Sequence, residues 1–171
     1  KIKNLVVDLV NGRVPILMGC GGYNTAAVVN ELKTGDFKGI DGILSICPYY
    51  NKPSQEGLYQ HFKAIAAATK LPVVLYNVPG RTGVNIEPDT CLKLSEIGNI
   101  VAIKEASGNL SQVAKVAALC GANLNIYSGN DDQILPVLSL GGIGVISVVS
   151  HYNPKLVHDL CYSFFEGDFN K

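Results

Sequence analysis

The feature that most constrains this chain is a sixfold alternation of short apolar runs with capped amphipathic segments. The runs, at positions 14–20, 42–47, 72–78, 100–105, 124–129 and 144–149, are near-continuous rather than alternately apolar and polar. That pattern suits strands buried on both faces of a parallel sheet. Helical signals fill the gaps. Asn24 or Thr25 opens one segment that runs to about Lys33. Ser54 caps the next, in which Leu58, Phe62, Ile65, Ala66 and Thr69 follow helical spacing. Pro88 suits a first helical position, with Asp89 beside it favouring the positive end of the helix dipole. Asn109 and Gln112 form a capping-box-like pair. A short helix follows Asp131 and Asp132, and Asn153 with Pro154 opens the last, which reaches Phe164 and Phe165. Residues 1–12 read as the closing turns of a helix stopped by Gly12.

Strand and helix in regular succession mean an α/β fold with right-handed crossovers. An open doubly wound sheet would place a glycine-rich nucleotide turn after its first strand and an acidic residue at the end of the next. Gly19-Cys20-Gly21-Gly22 imitates that turn weakly and the acidic residue is missing, so a (β/α) barrel is the favoured reading. The 14 basic and 14 acidic side chains balance, which argues against a nucleic-acid or membrane-surface protein. No apolar run approaches the ~18–20 residues of a membrane span. The five cysteines, Cys20, Cys47, Cys91, Cys120 and Cys161, are dispersed without metal spacing and read as reduced thiols of a cytoplasmic protein. The chain begins with Lys1, and its one methionine, Met18, lies inside an apolar run, so the sequence is expected to start partway through a domain.

In a barrel, chemistry sits at the C-terminal ends of the strands. Lys104 ends the fourth run, where burial would favour its neutral amine. Only about one unperturbed lysine in 2,500 is neutral at pH 7, and desolvation frees the amine to attack a carbonyl and form a Schiff base. The competing reading is an ammonium in solvent or paired with Glu105. Tyr76 and Tyr50 end two earlier runs and can relay protons; taken singly, each reads more readily as a structural strand or interface residue, and it is the pair beside a strand-end lysine that favours the relay. Arg81, in a Pro-Gly-Arg-Thr-Gly loop, can bind a carboxylate bidentately or simply be solvated. Asp131 and Asp132 read as cap and dipole partners rather than metal ligands. Gly141-Gly142-Ile143-Gly144 precedes its strand and so falls on the stability face. His61, His151 and His158 show no ligand spacing; His61 is expected on an exposed or interfacial helix face, and His151 near a strand end.

Three motifs carry a resemblance: Pro48-Tyr49-Tyr50-Asn51-Lys52-Pro53, then Tyr76-Asn77-Val78-Pro79-Gly80-Arg81-Thr82-Gly83, then Ile103-Lys104-Glu105-Ala106-Ser107-Gly108. With Gly141 to Ser147 in agreement, the chain resembles, along essentially its whole length, the pyruvate-dependent class I aldolase family that contains dihydrodipicolinate synthase and N-acetylneuraminate lyase. The resemblance implies a (β/α)8 TIM barrel of which residues 1–171 form one partial domain, about six βα units. These are the family's third to eighth strands, with the first two strands and the C-terminal helical region absent. It implies condensation of pyruvate with aspartate 4-semialdehyde in lysine and diaminopimelate biosynthesis. The imine would form on Lys104, with Tyr76 as proton relay and Tyr50 as a relay reaching into a neighbouring subunit. Arg81 would bind the carboxylate of the semialdehyde, and Gly129 and Ile146 would line the pyruvate pocket. No metal or organic cofactor is implied, and the partner is a second copy of the chain, in a tetramer of tight dimers. Gly80-Arg81-Thr82-Gly83 and Glu105-Ala106-Ser107-Gly108 favour the synthase over a sugar-acid lyase. The family's Gly-Thr-Thr-Gly-Glu loop has no counterpart in these 171 residues. A truncated, non-catalytic chain is the third expectation.

Overall fold

The computed structural model describes residues 1–168. The elements, in order, are α1 (Ile2–Val10), β1 (Leu17–Gly19), α2 (Thr25–Thr34), β2 (Gly42–Ile46), α3 (Gln55–Ala68), β3 (Val73–Asn77), α4 (Pro79–Thr82), α5 (Pro88–Ser95), β4 (Ile100–Glu105), α6 (Leu110–Cys120), β5 (Asn125–Ser128), α7 (Ile134–Ser139), β6 (Gly144–Val145) and α8 (Pro154–Glu166). The six strands are all parallel and lie in the order β1-β2-β3-β4-β5-β6, each paired with the next. A doubly wound sheet would reverse direction at a switch point. Uninterrupted sequential order is the barrel arrangement, here in six βα units.

Strand alternation sorts the side chains. Ile43, Cys47, Val73, Leu75, Ile103 and Ile126 enter the main core, where they meet Leu58, Phe62 and Ile65 of α3, Cys91 and Leu94 of α5, and Val113, Val116 and Cys120 of α6. Tyr76, Lys104 and Tyr127 alternate to the opposite, barrel-interior face and sit side by side in register. A smaller core joins Ile134 and Leu138 of α7 to Val157 and Cys161 of α8. All five cysteines are buried as free thiols. Burial pushes each thiol above its ordinary pKa.

The caps follow the sequence closely. Side-chain oxygens of Asn24, Ser54, Asn109 and Asn153 accept the backbone N–H three residues on, at the starts of α2, α3, α6 and α8. Pro88 and Pro154 stand at first helical positions. Five expectations change. Strand pairing in the first run begins only at Leu17, because the chain before it is held to Asp41, whose carboxylate accepts from Ile16 N at 2.7 Å. β6 stops at Val145 because Asp131 takes the amides of Val148 and Val149 out of the ladder. The Pro-Gly-Arg-Thr segment is a helical turn, not a loop, closed by Gly83 at φ 72°. Gln112 does not complete a capping box; its side chain turns instead to Asn85 and Glu105. His61 is buried rather than exposed, at 3% of full accessibility. Its Nδ1 pairs with Thr25 Oγ1 at 2.8 Å and its ring packs edge-on to Phe62. Burial lowers its pKa to about 4.

Candidate active site

A cavity of about 380 Å³ opens at the C-terminal ends of β3, β4 and β5, walled in part by Tyr76, Arg81, Lys104, Gly129, Asp131 and Val148. This is the end of a β/α barrel where active sites are built. Lys104 lies at the middle of it. Register pairs Lys104 with Tyr76 on one side and Tyr127 on the other. The side chain is 8% exposed, and its Nζ stands 4.3 Å from the centroid of the Tyr76 ring. Burial lowers the pKa of the amine, Asp131 opposes that shift, and Arg81 adds to it.

The expected alternative, a Lys104–Glu105 ion pair, is not formed. Consecutive strand residues point to opposite faces, and Glu105 is buried on the helix side. There its carboxylate accepts from Asn77 Nδ2 at 3.2 and 3.0 Å, from the Ser107 amide at 2.7 Å and from Gln112 Nε2 at 3.3 Å. Asn77 Oδ1 in turn accepts from the Ile86 amide, and Asn85 joins Asn77 to Gln112. Among the described residues Lys104 is therefore left without a carboxylate clamped to its nitrogen, while the strand ends that carry Lys104 and Tyr76 are tied together behind the cavity.

Gly129 is the floor of the site. A β-carbon there would meet Ala106 Cβ at 2.7 Å, the Glu105 carbonyl at 3.1 Å and Lys104 Cε at 3.1 Å. The Gly129 amide donates to that same carbonyl at 2.7 Å. Arg81 reaches the cavity from α4. Ile146 follows β6, and its amide donates to the Ser128 carbonyl at 2.9 Å; it is not one of the cavity walls.

Tyr50 is not brought to Lys104. It is 90% exposed on the loop after β2, where Tyr50 at φ 75° and Lys52 at φ 42° both hold a left-handed backbone. That conformation costs a residue with a side chain of order 1–3 kcal/mol and concentrates at functional segments. Tyr49 packs edge-on to Tyr23 beside it, ring centroids 5.6 Å apart. Lys52 lies over Gly83, so the Tyr50 loop touches the turn that bears Arg81. His151 is exposed, and His158 is exposed beside Asp159 on α8.

Asp131, read from sequence as a helix cap, faces the cavity. Its carboxylate accepts from Ser147 Oγ and from the Val148 and Val149 amides at 3.1 and 3.2 Å. Although desolvation pushes its pKa up, these bonds and the nearby Lys104 bring the carboxyl below its usual range. The readable signal was its position, three residues beyond the end of β5. Tyr127 was likewise readable as the residue facing Lys104 one strand on. Among the described residues no group of three His, Cys, Asp or Glu side chains gathers as a metal site, and no helix is long and apolar enough to cross a membrane.

A parallel, sequentially wound α/β sheet with a cavity at the C-terminal ends of its strands defines the β/α-barrel class. Within that class, the family model for the dihydrodipicolinate synthetase family matches residues 1–171, and the chain belongs to this family. It is 53% identical over 161 residues to the 4-hydroxy-tetrahydrodipicolinate synthase of Clostridium novyi, a match covering 94% of this chain and 54% of that one. It is 51% identical over 170 residues to the enzyme of the same name from Parabacteroides distasonis, covering 99% and 57%. The crystal structure of dihydrodipicolinate synthase from Aquifex aeolicus superimposes with a TM-score of 0.93 at 40% identity, covering 98% of this chain and 58% of the other. The chain spans about half the length of the curated relatives it matches.

Proposed function

We propose that this chain carries the imine-forming centre of a 4-hydroxy-tetrahydrodipicolinate synthase, a lyase of the class I aldolase type acting in lysine and diaminopimelate biosynthesis. The observation that carries the reading is Lys104: a desolvated amine of lowered pKa, free of any clamped carboxylate, at the heart of a strand-end cavity that also holds Tyr76 and Arg81.

The neutral amine of Lys104 attacks the carbonyl carbon of pyruvate, and the carbinolamine loses water to give the imine. The imine is an electron sink, so a methyl proton can leave and an enamine forms. The enamine carbon adds to the aldehyde of aspartate 4-semialdehyde, whose oxygen takes a proton. The amine of the second substrate then displaces Lys104 by transimination, closing the ring and restoring the free lysine. Each step moves a proton near one nitrogen, the work of a phenol such as Tyr76. The guanidinium of Arg81 suits the carboxylate of the semialdehyde, and Gly129 leaves room for the pyruvate carbons. The chemistry calls for no metal or organic cofactor.

Residues 1–171 act in this reading as one partial barrel domain of a cytoplasmic enzyme. Tyr50, strained and turned out to solvent, suits a relay offered to a second copy of the chain across a tight dimer, with two such dimers forming a tetramer. The resemblance assigns Ile146 to the pyruvate pocket, whereas in this fold it stands one residue beyond β6 and outside the walls of the cavity around Lys104.

Incubation with pyruvate, reduction with borohydride and peptide mass mapping are expected to find the adduct on Lys104. An unmodified Lys104, or a Lys104→Ala variant that keeps synthase turnover, overturns the reading. Arg81→Ala is expected to raise KM for aspartate semialdehyde by about tenfold or more, the scale of one lost charge-assisted pair. Indifference to that change, with preference for a sugar aldehyde, would instead mark a sugar-acid lyase.

A further inference from the structure

Lys104 is surrounded by charge that the imine reaction does not itself require. Tyr76 faces it from β3 and Tyr127 from β5. Arg81 approaches from α4, and Asp131 and Asp132 from the turn at Asp131–Gln133. Glu105 is on the other face of β4 and is held by Asn77, Gln112 and Ser107. Among the described residues, the side chains with formal charge that share the cavity with Lys104 are thus one guanidinium and two carboxylates.

The two carboxylates differ in how they are held. One oxygen of Asp131 is taken by the Ser147 hydroxyl and the other by two consecutive amides, those of Val148 and Val149. These donors belong to the segment that follows β6, so Asp131 joins the end of β5 to the end of β6 across the mouth of the cavity. A carboxylate engaged in this way keeps its charge but cannot swing onto a neighbouring ammonium.

We propose that Asp131 is a positioning residue: a latched counter-anion whose field steadies the cationic forms of the Lys104 nitrogen while its bonds to Ser147, Val148 and Val149 stop it from capturing that nitrogen. The proposal rests on the imine chemistry assigned above and goes beyond it by assigning the balance of charge. Attack needs the neutral amine, which burial and Arg81 favour. Once water has left, the protonated imine bears a positive charge in the same buried place, where an anion that needs no rearrangement is worth most. An unlatched carboxylate would pair with the ammonium and hold the amine in its unreactive form.

Two variants of the whole protein separate charge from latch. Asp131→Asn removes the charge but leaves an amide oxygen to accept from the two amides. Ser147→Ala keeps the charge and loosens the latch. Lys104 is titrated without pyruvate, by reductive methylation with labelled formaldehyde and NMR of its methyl groups. Imine is measured by borohydride trapping with pyruvate across the same pH range. Asp131→Asn is expected to move the amine midpoint, and the upper pH limit of trapping, to lower pH, with about threefold less imine trapped above the midpoint. Ser147→Ala is expected to move the amine midpoint the other way, upward, as the freed carboxylate turns to the ammonium.

An unchanged or raised midpoint in Asp131→Asn with a native near-ultraviolet spectrum overturns the proposal. So does a lowered midpoint in Ser147→Ala, which also decides the matter if the first variant does not fold. Because the amine titration needs no pyruvate, a chain that shows these shifts yet traps no pyruvate loses the proposed function and keeps the charge relation. A chain that traps pyruvate without the shifts does the reverse.

Discussion

At the residue scale, Gly129 shows how little slack the site has. Its missing β-carbon is the space against which Ala106, the Glu105 carbonyl and Lys104 close. Gly129→Ala is therefore expected to cost about 1–3 kcal/mol of stability, the range of overpacking, and to reduce imine trapping by displacing Lys104. Urea unfolding and borohydride trapping on the same variant check both. His61 makes a separate expectation. Its folded pKa, about 4, lies below the ~6.5 of an unfolded histidine. Between those values the unfolded chain binds the extra proton, so stability falls as pH drops from about 6.5 to about 4, by roughly 3 kcal/mol in total. Denaturant midpoints across that range should show the slope, and His61→Gln should flatten it. Lys104 was readable because an ionisable residue interrupts an apolar strand at its C-terminal end. The failure of its imagined pairing with Glu105 was readable too, since neighbours along a strand face opposite ways. The burial of His61 was not, because the expected apolar stripe of α3 left it out and its partner, Thr25, comes from another helix.

At the scale of elements, the side-chain-capped helix starts were legible, whereas the start of the first strand and the end of the last were not. Asn24, Ser54, Asn109 and Asn153 cap their helices through contacts three residues away, which sequence spacing captures. Asn109→Ala should cost about 1 kcal/mol, read from thermal unfolding. The apolar run at 144–149 promised a longer strand than β6, but an aspartate from beyond β5 competes for its amides. That partner lies in a different part of the sequence, where no local pattern announces it. The amide network behind the cavity is of the same kind. Asn77 donates to both oxygens of a buried carboxylate and accepts from Ile86. Asn77→Ala leaves that charge and that amide short of partners and is expected to cost about 2–4 kcal/mol. Imine trapping should weaken with it, since the ends of β3 and β4 lose their tie.

At the scale of the molecule, the sequential parallel order was legible from the regular spacing of runs and caps, and the resemblance turned it into a partial barrel. Among the described residues β1 and β6 each pair on one side only. Beside β1 lies an apolar groove of about 300 Å³ lined by Ile2, Val6, Ile16, Leu17, Met18 and Ile40, among others. An open apolar edge invites pairing with another chain. The 171-residue chain on its own is expected to self-associate with rising concentration in sedimentation velocity, and Leu17→Lys should reduce it; a strictly monomeric wild-type chain would refute this. The buried thiols have a practical consequence of another kind. With burial pushing Cys20 up to about 11, Cys47 up to about 12 and the other three upward as well, the native protein is expected to react only slowly with maleimides at neutral pH. A single thiol introduced by Tyr50→Cys, at a position 90% exposed, would take a fluorophore or spin label cleanly and turn any approach of a second chain into an optical or magnetic signal.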